Sequence, residues 1–320
     1  MINKRFNTTI YSLIKYSENV KEFYLNAAYY ANSLLFWRPT MPILSSLFIY
    51  PIKSLAGFAV NQWPVVATGF QYDRQWMLVD EQRQFLSQRR LPQMALLQTR
   101  IQAQQLIVSA PQQDDLILEL NPKTNVSTTI TVWHDSYEAQ LISEAANQWF
   151  SQALNTPCQL VYQPTNTIRQ VDPNYANPED NTAFSDGFPF LITTEASLAL
   201  LNQQMGLNLS MQRFRPNLVI SDCESYAEDT WRELQIAHIN FRLPKPCSRC
   251  SVPQINPKTA LNDKEPLRTL SRTRQYNNKV YFGQNALHDT VGLLNTGDEV
   301  LIMKTGASQP PLKNDNLAPF

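Results

Sequence analysis

Two cysteines three positions apart, Cys247 and Cys250 in Pro246-Cys247-Ser248-Arg249-Cys250, carry the clearest chemical signal in the chain. A thiol pair at this spacing serves as half of a zinc site, as a redox dithiol, as a thiolate ligand to a softer metal, or as buried structure. Zinc would need two more ligands. No second CxxC exists, and Cys223 and His238, which could complete a site, match no finger or ribbon spacing. A redox dithiol usually sits between a strand and a helix, a setting that Leu243-Pro244-Lys245-Pro246 does not suggest. Spacing alone leaves all four readings open. Arg249 and Lys245 stand beside the thiols, and adjacent positive charge favours thiolate. Tyr50-Pro51-Ile52-Lys53-Ser54 and Tyr72-Asp73-Arg74 set further cations beside expected strand ends, although each alone reads equally as a surface ion pair.

What the chain lacks narrows the chemistry. Its eight glycines never stand as GxG, so neither a dinucleotide fingerprint nor a phosphate-cradling Walker loop can be built. With three histidines, no HExxH and no GxSxG, the common zinc-protease and α/β-hydrolase readings also fall. The 27 basic and 27 acidic side chains cancel, so no global field draws the protein to nucleic acid, and an anionic ligand must be met by local cations. Four cysteines are too few for a disulfide framework, which points to a reducing, cytoplasmic setting.

The elements that must position these residues are mostly strands. Short apolar runs separated by turns predict strands at 47–50, 75–79, 94–101, 106–109, 116–120 and 129–133, then a helix over 144–154 and a strand at 159–162. The proline- and asparagine-rich stretch 164–182 reads as a linker. Beyond it come a helix beginning at Thr194, strands at 217–221, near 234–243 and at 299–303, and a loose tail from Ser308. The second half is expected to form a barrel. Phe23–Trp37, uncharged and aromatic-rich, is shorter than the about 20 apolar residues of a spanning helix. It reads as a docking or interfacial helix, with membrane contact the lesser alternative. The divisions expected are therefore an extension at 1–42, a β domain at 43–163, the linker, a second domain at 183–305 and a tail at 306–320.

Taken in order, several segments resemble the MOSC-domain family, in the branch of the mitochondrial amidoxime-reducing component and its bacterial YcbX-type relatives. They are Ile49-Tyr50-Pro51-Ile52-Lys53-Ser54, Asp73-Arg74-Gln75-Trp76-Met77-Leu78-Val79, Phe85-Leu86-Ser87-Gln88-Arg89, Thr194-Glu195-Ala196-Ser197-Leu198, Arg213-Phe214-Arg215-Pro216-Asn217-Leu218-Val219, Ala227-Glu228-Asp229-Thr230-Trp231, Cys247-Ser248-Arg249-Cys250 and Phe282-Gly283-Gln284-Asn285. The resemblance implies a mixed, β-rich α+β fold in which an N-terminal MOSC-associated β domain packs on a MOSC β-barrel with a few helices. It implies Mo-molybdopterin, the molybdenum cofactor, held through the thiolate of Cys250, with Cys247 structural. The positions matching cofactor contacts are Lys53, Ser54, Arg74, Arg215, Asn217 and Arg249, and Asp186 and Gly187 match a cofactor-facing turn. Arg215, preceding a proline, is expected in extended backbone.

The implied activity is reduction of small N-hydroxylated compounds such as amidoximes, hydroxylamines and N-hydroxylated bases. The alternative is a non-catalytic carrier of the cofactor or of sulfur. The segment Pro253-Gln254-Ile255-Asn256-Pro257 after Cys250 departs from the family pattern, as does Arg90 after Arg89. With no cysteine beyond Cys250 for an iron–sulfur cluster, electrons are expected from an external donor: a reductase, ferredoxin, flavodoxin or cytochrome. Lys245, Arg249, Arg272 and Arg274 are the candidate docking cations.

Overall fold

The computed structural model describes residues 41–311 apart from 125, 134 and 166. The helix expected at Phe23–Trp37 and the last part of the tail lie outside the described residues.

The principal sheet has nine strands. Its order is Val300–Thr305, Trp231–Ile236, Ile239–Ser248, Lys279–His288, Phe190–Thr194, Leu218–Ser221, Ile43–Ile49 and Phe58–Val60, with Gln275–Tyr276 paired to Lys279–His288. Neighbours are antiparallel except Phe190–Thr194 and Leu218–Ser221. That parallel pair needs a crossover, which the helix Glu195–Met205 supplies. Thr194 ends the strand and caps the helix, its hydroxyl accepting the Ser197 N–H, and Gly206 closes the helix at φ +65°. Every side chain of Phe190–Thr194 is buried, as a strand covered on both faces requires. The edge strand Val300–Thr305 also meets the start of Ile43–Ile49: the Leu44 N–H donates to Asp298 O at 2.9 Å and the Val300 N–H donates to Pro42 O at 2.8 Å.

Three smaller sheets complete the β structure. One runs Trp76–Val79, Gln159–Tyr162, Asp135–Leu141, Ser127–Val132; a second runs Gln98–Gln102, Gln105–Ala110, Gln113–Glu119; a third joins Gly292–Asn295 to Gln62–Val66 and Gly69–Phe70. The helix Glu144–Leu154 buries Ala146, Phe150 and Leu154, four residues apart, in a core with Trp76, Leu78, Leu106 and Leu160. Each such large apolar side chain contributes roughly 1.5 to 3 kcal/mol. Strands from both sides of 164–182 share sheets: Ile43–Ile49 pairs with Leu218–Ser221, and Gln62–Val66 with Gly292–Asn295.

Two local expectations are corrected. The run 94–101 is not one strand, because Pro92 starts a 3-10 turn over Pro92–Leu96 before the strand Gln98–Gln102. Nor is the tail loose where it begins. The Gln309 N–H donates to Asp229 O at 2.9 Å, Gln284 Nε2 donates to Gln309 O at 2.9 Å, and Pro310 is buried. Among the described residues, no helix is long and apolar enough to cross a membrane.

Candidate functional site

All nine site residues expected from the sequence line one cleft: Lys53, Ser54, Arg74, Asp186, Gly187, Arg215, Asn217, Arg249 and Cys250. They come from turns at strand ends, and backbone hydrogen bonds tie those turns together. The Arg74 N–H donates to Tyr50 O and the Lys53 N–H to Trp76 O, both at 2.8 Å, while the Phe184 N–H donates to Arg74 O at 2.9 Å. The Arg249 N–H donates to Val280 O at 2.8 Å, fixing the turn that ends in Cys250. Ser54, Arg74 and Arg215 adopt left-handed backbone at φ 68°, 48° and 57°, a conformation that costs a non-glycine residue energy and is held only where its surroundings enforce it. The extended backbone expected at Arg215 is therefore wrong. The residue caps the 3-10 turn Met211–Phe214, its N–H donating to Gln212 O, and αL avoids the clash with the Pro216 ring that forbids αR.

The cations are held in different ways. Arg74 pairs with the buried Asp73, donates from Nη1 to Asn217 Oδ1 at 2.9 Å and from Nη2 to Arg215 O at 3.1 Å. Arg215 donates from Nη1 to Leu55 O at 2.5 Å, and Arg249 from Nη2 to Phe214 O at 2.7 Å. Both the Arg74 and Arg215 guanidinium carbons lie 4.3 Å from the Tyr50 ring centroid. Burial, and then the like charge of Arg74, bring Arg215 down to about 10, whereas burial pushes the Tyr50 phenol up to about 12 against the pull of both arginines. Lys53 donates to Phe184 O at 2.7 Å and to Asp186 Oδ1 at 2.5 Å. Burial lowers the Lys53 ammonium and Asp186 opposes the shift. At Asp186, desolvation works upward, but Lys53, Arg89 and Arg74 outweigh it and hold the carboxyl well below the usual carboxylate range.

The charges do not balance: four cations face two carboxylates, Asp73 and Asp186, and among the described residues neither Arg215 nor Arg249 is ion-paired. Arg249 Nε is buried without a hydrogen-bond partner, and Gly187 has open space where a Cβ would stand. An anionic ligand would meet charge-assisted donors here. The thiols differ. Arg249 Nη1 donates to Cys247 Sγ at 3.1 Å, so the guanidinium expected to serve either thiol engages Cys247, and burial still pushes the Cys247 thiol up. Cys250 is a free, part-exposed thiol in the cleft. Among the described residues no three His, Cys, Asp or Glu side chains gather as a metal-holding group, so the zinc reading finds no further ligands there.

Asn217 lines the cleft, but its amide is engaged: Oδ1 accepts from Arg74 and from the Leu191 N–H, and Nδ2 donates to Phe48 O. It positions Arg74. Residues that sequence reasoning missed include Ser185, Phe190, Phe214, Ser248, Val252 and Asn285, all in the lining. Phe214, Ser248 and Asn285 stood in family-like segments, whereas Phe190 and Val252 gave the ordinary signal of core. Arg90 is paired with Asp80 at 2.6 Å and is absent from the lining. Arg274 leaves the docking set because it is 3% exposed and paired with Asp229.

Two family models match the chain: the MOSC N-terminal beta barrel domain over residues 41–157 and the MOSC domain over residues 179–301. Mitochondrial amidoxime-reducing component 1 from Homo sapiens is 33% identical over 278 residues, covering 81% of this chain and 82% of that protein. The Mus musculus protein of the same name is 32% identical over 279 residues, with the same shares covered. Molybdenum cofactor sulfurase from Oryza sativa subsp. japonica is 31% identical over 261 residues, covering 75% of this chain but 32% of that protein, so the chain spans about a third of the sulfurase.

Proposed function

The chain belongs to the MOSC family, with an N-terminal MOSC β domain followed by a MOSC domain, and from that premise we propose that its cleft holds Mo-molybdopterin through Cys250 and reduces small N-hydroxylated compounds with electrons from an external protein donor. The observation that carries the reading is the free Cys250 thiol in a cleft whose four cations outnumber their carboxylate partners. The residues suit the group: a soft thiolate for molybdenum, and Arg74, Arg215, Arg249, Lys53 and Ser54 as donors to the anionic pterin phosphate. When bound, the cofactor would supply the redox chemistry.

The chain's own residues would do the rest. Arg215 and Arg249, held by main-chain carbonyls, offer charge to an anion without a competing carboxylate. Reduction of an N–OH group to N–H takes two electrons and two protons and releases water, and Lys53, a buried ammonium at the cleft wall, is the group placed to hold a proton. The amidoxime-reducing relatives support this reading. The sulfurase relatives favour the alternative, a module that carries the cofactor or sulfur without turnover.

The test is benzamidoxime reduction by purified, cofactor-loaded protein. Amidine should form with dithionite-reduced viologen or an added reductase, and not with NADH or NADPH alone. Steady turnover on nicotinamide alone contradicts the external donor, and no amidine under any donor favours the carrier.

A further inference from the structure

A second cleft adjoins the first. Arg215 and Val252, two residues beyond Cys250, line both. The rest of its wall includes Tyr50, Gln88, Arg213 and Lys258, and it contains three cations, Arg213, Arg215 and Lys258, with no carboxylate at all. Part of the wall, Ile255 and Pro257, belongs to the segment Pro253-Gln254-Ile255-Asn256-Pro257, whose sequence departs from the family pattern after Cys250.

Two of its groups are buried without the partners their chemistry asks for. Arg213 is 8% exposed, yet its side chain makes one hydrogen bond, from Nη1 to Pro253 O at 3.2 Å, and forms no ion pair among the described residues. Burial lowers its pKa, with Asp263 acting only as a background charge that raises it. Tyr50 is 1% exposed and its hydroxyl has no hydrogen-bond partner. A buried guanidinium, a buried phenol and the Lys258 ammonium are all donors, so the complementary ligand is rich in acceptors. Arg215 is shared with the cofactor cleft, but Arg213 and Lys258 alone bring two positive charges with no carboxylate in the lining, which asks for more than a single anionic charge. A phosphomonoester combines three acceptor oxygens with about −1.5 to −2 charges near neutral pH.

We propose that this second cleft is a binding site for a phosphomonoester, distinct from the cofactor cleft and sharing only its Arg215–Val252 wall. Resting on the reductase reading, the site would let a phosphorylated N-hydroxylated substrate anchor its phosphate beside the cleft that holds Cys250. The phosphate site itself does not depend on turnover.

Isothermal titration of cofactor-loaded protein with inorganic phosphate, adenosine 5′-monophosphate and adenosine tests it. Phosphate and the nucleotide should bind and adenosine should not. Both affinities should fall by about tenfold or more in Arg213→Gln and in Lys258→Gln, as expected for loss of a charge-assisted hydrogen bond. Lys258 is exposed, so its replacement leaves the core intact. Tighter binding of the nucleotide assigns the site to a phosphorylated small molecule, whereas equal binding assigns it to free phosphate. Absence of millimolar binding by either anion, or unchanged affinity in Lys258→Gln with Arg213→Gln folded, overturns the proposal. Because the readout is binding, failure here leaves the benzamidoxime result standing, and failure there leaves this one.

Discussion

Arg215 and Arg249 reach the cleft from different turns and are each held by a main-chain carbonyl, so their charge stays available to a ligand. Carboxylate partners would have rigidified them equally well and cancelled the field. The same economy governs the thiols. Cys247 is half-buried and accepts from Arg249, whereas Cys250 is free in the cleft. We expect Cys250→Ser to lose at least about tenfold in molybdenum affinity, the effect of roughly 1.4 kcal/mol of lost bonding, because serine is a harder and poorly ionised donor. Cys247→Ser should retain the metal and lose about 1 kcal/mol of stability, since an oxygen can still accept from Arg249. Metal analysis with thermal melts distinguishes them, and equal metal content in the two variants would refute the assignment. At this scale the sequence exposed which residues converge, because chemistry-bearing types sat in ordered segments. It hid how they are used. Nothing in Arg-Phe-Arg-Pro-Asn reveals that Asn217 is consumed in holding Arg74, which lies far away in the chain, or that Arg215 turns left-handed, which follows from the 3-10 turn Met211–Phe214 that it caps.

Elements with local signals were legible. The helix Glu144–Leu154 has a Ser143 cap and apolar residues four apart, and Glu195–Met205 has a Thr194 cap and a terminal Gly206. The strand Lys279–His288 was not, because Gly283, Gln284 and Asn285 break its apolar run. Those residues are explained by tertiary contacts: Gly283, at φ +79°, lies where a Cβ would come within 2.7 Å of Ile192 O, and Gln284 Nε2 donates to Asp229 Oδ1 at 2.9 Å. The same Asp229 pairs with Arg274, next to Glu228, which accepts from Thr194 Oγ1 at 3.1 Å and Ser197 Oγ at 2.9 Å with its other oxygen unpartnered. Burial first, and Asp229 second, push Glu228 up to about 7 from 4.5. A folded-state pKa raised in this way means that the native state binds the extra proton. Its contribution is present below pH 4.5 and is lost as pH rises to about 7, on the order of 3 kcal/mol in all. Glu228→Gln keeps an acceptor for both hydroxyls and cannot ionise. Denaturant midpoints at pH 5 and pH 8 should therefore differ less in the variant than in the wild type, and an unchanged difference would show that Glu228 does not titrate there.

At the scale of the molecule, the two halves are joined through the sheets. Ile43–Ile49 from the first half lies between Leu218–Ser221 and Phe58–Val60, and this arrangement brings Lys53 and Arg74 to the same cleft as Arg249 and Cys250. Composition could not reveal this, because strand pairing between residues more than a hundred positions apart leaves no local pattern. A formal charge of zero leaves ligand capture to the local excess of cations in the cleft. That excess, together with Cys250, is the basis of the central claim that the cleft holds a molybdenum cofactor. Molybdenum and pterin analysis of the protein purified from a host that makes the cofactor tests the claim most directly. Equimolar molybdenum, pterin and chain are predicted, and protein that purifies folded but free of pterin, or with zinc in place of molybdenum, would contradict it.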